Sequence, residues 1–174
     1  TEGHSKRVAF YSRELAARMG YSFEKQEQIY YIAMMHDIGK IGIPDKILNK
    51  PSKLTDEEYE IMKQHAVFSG DILENFTTIP DISTVVRYHH EWFDGNGYPY
   101  KLKGMEIPQI SRIISVADSF DTMNSKRVYR APLPTEEIIK QLKENAGIQF
   151  DPEIVPFMIS MIEDGTVARL KLLV

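Results

Sequence analysis

Five histidines and two aspartates carry the chemistry open to this chain: His4, His36, His65, His89, His90, Asp37 and Asp118. Imidazole and carboxylate without thiolate are donors for Fe, Mn, Zn, Ni or Co. His36 and Asp37 sit side by side after the apolar run Ala33-Met34-Met35. Adjacent residues on a helix point about 100° apart, so this pair cannot share one face. It can reach two neighbouring ions, with the Asp37 carboxylate bridging both. Seven ligands exceed what one tetrahedral zinc uses. They suit two ions about 3.5–4 Å apart, which hold a hydroxide between them and clamp both oxygens of an in-line displacement at phosphorus. That chemistry is phosphodiester hydrolysis.

The elements that must position these residues read as helices, and the histidines recur on their apolar stripes. A buried imidazole must find a partner, and for a lone histidine a core hydrogen bond is the better reading. Here the pattern repeats. His36 follows Ile32 by four residues and Ile29 by seven, His65 follows Ile61 by four, and His89 follows Val85 by four. His4 extends the stripe Val8, Tyr11, Leu15, Met19 by one turn. Asp118 stands four after Ile114, and Asp121 lies close to the same face. Four helices thus each bring a histidine, and a fifth a carboxylate, to the face that should be buried.

The expected architecture is all-α, a bundle of about seven helices around a multinuclear metal site. The first runs from about Gly3 to Met19, and the second, from about Glu24, ends at Gly39. Residues 44–51 form a connector. Thr55-Asp56-Glu57-Glu58 is a capping box opening the third, whose stripe is Ile61, Met62, His65, Phe68, Ile72 and Leu73. A fourth follows Pro80, and Pro108 opens a fifth. Thr135 caps a sixth and Asp151-Pro152 a seventh. Between them, residues 92–100 carry two glycines, Asn96 and Pro99, which spells a structured loop. The tail 167–174 reads as a short strand or a loose end.

Length fits one domain spanning residues 1–174. Hydrophobic residues make up 43%, enough for a sizeable core. No apolar run approaches the ~18 residues of a membrane span. Cysteine is absent, which excludes disulfides and thiolate metal sites. A net charge of −4 argues against a nucleic-acid polymer as partner, and two divalent cations would offset it. The chain opens with Thr1 rather than Met, as expected of a piece of a longer protein.

The motifs HDIGK at 36–40, HHEWFDGNGYP at 89–99, VADSFDTM at 116–123 and GIQFDP at 147–152 resemble the HD-GYP family within the HD superfamily of metal-dependent phosphohydrolases. The resemblance spans nearly the whole chain. It implies a bacterial cyclic di-GMP phosphodiesterase, active through two divalent transition-metal ions, or three. Fe or Mn comes first, then Zn, Ni or Co. It implies His4, His36, Asp37, His65, His89, His90 and Asp118 as ligands, with Asp37 central to catalysis. Lys40 becomes a catalytic cation on the phosphate side. Gly97 and Tyr98 border the dinucleotide, and Asp121, Arg127 and Arg130 reach its guanine or phosphate side. It also implies an N-terminal regulatory or sensor domain outside this stretch and a cytoplasmic setting, including the cytoplasmic part of a membrane-anchored sensor. No membrane contact is expected of this domain itself, and a homodimer is compatible with it.

Three departures stand out. Trp92 replaces a frequent Arg and Val128 a frequent Pro, which alters loop packing rather than ligands. The Glu that holds a third ion in some members would precede Thr1, so two versus three ions is open. Other functions compete: hydrolysis of a mixed GMP–AMP cyclic dinucleotide, a weakly active binding module, or a di-iron oxygenase. The glycine- and proline-rich loop at 95–99 favours the phosphodiesterase.

Overall fold

A computed structural model describes residues 3–126 and 131–174. These residues are all-helical: α1 His4–Arg18, α2 Phe23–Met35, α3 Asp45–Leu48, α4 Asp56–Ile72, α5 Ile82–Arg87, α6 Gln109–Asn124, α7 Thr135–Glu144, α8 Val155–Glu163 and α9 Thr166–Lys171. Tight 3₁₀ turns occupy Ile38–Gly42 and Gly104–Glu106. Among the described residues no helix is long and apolar enough to cross a membrane.

Helix α1 is central and packs against α2, α6, α8 and α9. Its stripe Val8, Tyr11 and Leu15 is fully buried, and the Tyr11 ring meets Phe120 of α6 edge-to-face at 5.1 Å. Burying each such large side chain contributes about 1.5–3 kcal/mol. That burial fixes the two helices that carry His4 and Asp118.

The capping box at Thr55 forms as expected: the Glu58 amide donates to Thr55 Oγ1 at 3.3 Å, and the Thr55 amide donates to Glu58 Oε2 at 2.8 Å. The stripe of α4 forms in part: His65 and Leu73 are buried and Met62 and Phe68 half-buried. Its buried face is His65, Ala66, Ser69 and Gly70, while Ile61 and Ile72 are exposed. The reason is a close approach by the 38–42 turn. The Gly39 amide donates to Ser69 Oγ at 2.9 Å, and a Cβ on Gly39 would lie 2.1 Å from the His65 carbonyl oxygen. Small residues on α4 are what allow this contact.

The expected count of about seven helices is short by two. After Pro44 the connector winds into the single turn α3. The tail, expected as strand or loose end, is α9. Gly165 takes φ 77°, the Thr166 amide donates to Asp164 Oδ1 at 3.0 Å, and Arg18 of α1 donates to Thr166 Oγ1 at 2.9 Å. Two caps also differ. Pro134, not Thr135, precedes α7, and α8 starts at Val155, beyond Asp151. Asp151 is buried and engages the guanidinium of Arg112.

Candidate metal centre

Helix ends aim His4, His36, His89 and His90, while His65 stands within the body of α4. His36 caps the C-terminus of α2, and α5 stops at Arg87, so His89 and His90 occupy the turn after it. The Nδ1 atoms of His36, His65 and His89 lie 2.6, 2.7 and 2.6 Å from the carbonyl oxygens of Ala33, Met62 and Val86. A carbonyl oxygen only accepts, so each Nδ1 donates and each Nε2 presents its lone pair. His4 achieves the same through Asp121, with Nδ1 2.8 Å from Oδ2. Partners of this kind on the second nitrogen are what orient metal-ligating histidines.

These Nε2 atoms converge on Asp37. Its Oδ2 lies 3.3 Å from His36 and 3.9 Å from His4, and its Oδ1 lies 3.3 Å from His65 and 3.9 Å from His89. His90 Nε2 joins at 3.2 Å from His65 Nε2, and Asp118 Oδ1 lies 3.2 Å from His4 Nε2. One carboxylate oxygen therefore serves each group of donors: His4, His36 and Asp37 on one side, and Asp37, His65, His89 and His90 on the other. The Nε2 atoms of His36 and His89 and Asp37 Oδ1 are buried without a hydrogen-bond partner. Each orphan costs about 1–3 kcal/mol, and a divalent cation on either side of Asp37 would answer all three. The donor set fits a metal pair.

The charge balance without metal is uneven. Burial lowers the affinity of His4 for its proton, but hydrogen bonds to Asp118 and Asp121 outweigh it and raise its pKa to about 9. Burial drops His90 to about 4 and holds His89 well below its ordinary value, aided by the neighbouring imidazoles. Asp37, although burial opposes it, is held well below the usual carboxylate range by His36, His65 and Lys40. The Lys40 ammonium lies 2.5 Å from Asp37 Oδ2.

The substrate-side expectations fare differently from one another. Lys40 and Tyr98 line the cleft beside the histidines, a cavity of about 540 Å³ that Leu48, Asn49, Met62 and Thr122 also line. Tyr98 stacks on the His90 ring at 4.9 Å. Asp121, expected at the guanine or phosphate side, is 1% exposed, and its oxygens receive His4 Nδ1 and the Arg7 guanidinium at 2.7–3.0 Å. It positions His4 instead. Gly97, expected to border the dinucleotide, is buried against its own chain: a Cβ there would lie 2.2 Å from the Trp92 nitrogen and 2.5 Å from the His90 carbonyl oxygen. Arg127, Arg130 and Val128 lie outside the described residues. Glu91 is buried and accepts from the Tyr100 and Leu102 amides at 2.7 and 3.1 Å, so it fastens the loop rather than a histidine.

A model of the HD domain matches residues 1–154. The chain belongs to the HD domain family. It is 42% identical over 168 residues to a cyclic di-GMP phosphodiesterase of Thermotoga maritima, covering 95% of this chain and 46% of that protein. It is 37% identical over 153 residues to a 3′3′-cGAMP-specific phosphodiesterase of Vibrio cholerae, covering 88% of this chain and 33% of that one. It thus spans less than half the length of these relatives. The fold is similar to those of a cyclic GMP-AMP specific phosphodiesterase of Vibrio cholerae and of Bd1817, an HDGYP protein of Bdellovibrio bacteriovorus. The TM-score is 0.73 for both, at 17% and 18% identity, over 97% and 92% of this chain and 45% and 51% of theirs.

Proposed function

We propose that this HD domain is a phosphodiesterase that opens cyclic di-GMP to the linear dinucleotide pGpG, with GMP as the product of a further cut. The observation that carries this reading is Asp37, whose two oxygens each face a separate set of imidazole Nε2 atoms. His4, His36 and Asp37 would hold one divalent ion, and Asp37, His65, His89 and His90 the other, with Asp118 completing the set beside His4. Iron or manganese suits such imidazole–carboxylate sites. Bound there, the ions would supply an activated water and neutralise charge on the phosphoryl oxygens.

The chain's own groups do the positioning. Asp121 holds the ring of His4, and backbone carbonyls hold those of His36, His65 and His89. Lys40, on the rim of the same cleft, places a cation where charge develops, which is the main demand of phosphoryl transfer. Tyr98, lying over His90, walls the cleft and limits water. Arg127 and Arg130 would grip the phosphates bidentately, and their replacement by alanine should raise KM about tenfold.

The relative from Vibrio cholerae that is named for 3′3′-cGAMP supports the mixed dinucleotide as a second substrate. Incubation of manganese-loaded protein with each dinucleotide, followed by nucleotide chromatography, tests both. Conversion of cyclic di-GMP to pGpG supports the first reading, exclusive loss of the mixed dinucleotide supports the second, and no loss of either overturns the function. A cytoplasmic setting belongs to the same proposal, because the substrate is an intracellular messenger.

A further inference from the structure

The cleft has a second lobe. A cavity of about 310 Å³ shares His90, Asp118 and Thr122 with the larger one and extends away from the cluster towards α7. Its size falls at the lower end of small-molecule sites. Its apolar lining comes from Phe150 and Met123, both buried, and its polar lining, beyond the three shared residues, from Ser119, Gln141, Asn145 and Gln149. None of these four belongs to the metal cluster, and apolar side chains beside amides are what a purine ring needs.

The amides are already oriented. Gln141 Nε2 donates to the Glu137 carboxylate at 3.0 Å, and Asn145 Nδ2 donates to the Gln141 carbonyl at 2.9 Å. A carboxylate and a carbonyl only accept, so neither amide can flip. Gln141 Oε1 and Asn145 Oδ1 carry no other hydrogen bond among the described residues, and remain as acceptors. Two acceptors together suit the N1–H and N2–H₂ donors of guanine. Adenine offers an acceptor at N1 and is repelled there.

We infer that this smaller lobe is the pocket for one guanine base of the cyclic dinucleotide, with Gln141 and Asn145 reading its N1–H and N2–H₂ edge. The inference rests on the proposed function, and it divides the substrate: the scissile phosphate lies over the metal cluster and one base lies beyond Asp118. Gln141 and Asn145 stand within and at the end of α7, whose buried Ile138 and Leu142 hold it to the core. The pocket is therefore a rigid reader.

The test compares cyclic di-GMP with cyclic di-IMP, whose hypoxanthine bases lack the N2 amine, in the manganese-loaded protein. The wild type is expected to favour cyclic di-GMP by about tenfold in kcat/KM, the effect of one lost hydrogen bond that leaves its partner unsatisfied. Gln141→Leu, which keeps the bulk, and Asn145→Ala are each expected to raise KM for cyclic di-GMP about tenfold. The variant that loses the N2–H₂ acceptor is expected to bring the two substrates close to parity, because hypoxanthine keeps N1–H and lacks only the amine. A purely structural effect in both variants would leave the preference intact, and melting temperatures at or near the wild-type value show that each variant is folded. Retention of the wild-type preference by both variants overturns the inference, as does a wild type that does not distinguish the two substrates. A wild type that cleaves neither overturns the proposed function as well.

Discussion

Asp121 Oδ2 lies 2.8 Å from His4 Nδ1, so a buried carboxylate of α6 turns the first imidazole of α1 towards Asp118 and Asp37. The same carboxylate takes the Arg7 guanidinium, 2.7 Å from Nε to Oδ1. Asp121→Asn is expected to weaken metal binding about 10–100-fold, the usual effect of losing such a partner. At saturating metal, KM for cyclic di-GMP should stay near the wild-type value. Metal titration and steady-state kinetics separate the two. A raised KM with metal affinity unchanged would return Asp121 to the substrate side.

Gly39 makes a second point of control. A methyl group there would lie 2.1 Å from the His65 carbonyl oxygen and 2.3 Å from the Ser69 nitrogen, both backbone atoms that cannot step aside. Gly39→Ala should cost about 1–3 kcal/mol and shift His65 relative to Asp37, lowering the melting temperature and the metal content together. A variant that melts with the wild type and keeps its metal would show that the turn relaxes without moving His65.

The metal-free domain should be most stable near pH 6.5, and the sign follows from two histidines that are perturbed in opposite directions. His4 is raised to about 9 by its carboxylate partners against the pull of burial. Its contribution is fully present below the unfolded value of about 6.5 and is lost as pH rises through 9. His90 is lowered by burial to about 4. Between pH 6.5 and 4 the unfolded chain binds a proton there that the native chain refuses, so stability falls on acidification. Thermal melts of chelator-treated protein from pH 4 to 9 should trace a dome. A steady rise from pH 6.5 to 9 would contradict the assignment for His4.

Adding metal should reverse the alkaline side of that dome. Ions bind neutral imidazole, so their affinity grows with pH while protons compete less. The gap in melting temperature between metal-loaded and metal-free protein should therefore be larger at pH 8 than at pH 5. An equal gap at both values would mean that the histidines are not ligands.

The histidines were legible in the sequence because each keeps helical spacing with apolar neighbours: Ile32 with His36, Ile61 with His65, Val85 with His89. The spacing says which side a residue takes, not whether the helix lasts that long. Hence the caps and turns that hold His36, His89 and His90 were invisible. Asp121 reads as a substrate group only through the family resemblance, and its spacing from Asp118 says no more than that the two lie near one face; the guanidinium that claims it comes from Arg7, over a hundred residues away. Gly97 showed that a close approach was needed, but not that its own backbone at 90–92 was what approached. Ile61 looked buried by period and is exposed because α4 receives a turn through its small residues. The second lobe had no signal at all. Gln141, Asn145 and Gln149 are unremarkable amides until tertiary packing sets them beside Asp118. The tail was misread because Gly165 can end one helix and begin another.

The central claim is that Asp37 bridges two ions, and the metal content of Asp37→Ala tests it most directly. Wild type and variant would be purified under the same conditions, loaded with manganese, freed of excess and assayed for metal per chain. The wild type should hold close to two ions and the variant almost none, because removing the bridge breaks both coordination spheres. Cyclic di-GMP turnover by the variant should fall at least ~10³-fold in the same samples. A variant that keeps the wild-type stoichiometry would contradict the bridge, and with it the reading of His4, His36, His65, His89 and His90 as one shared site.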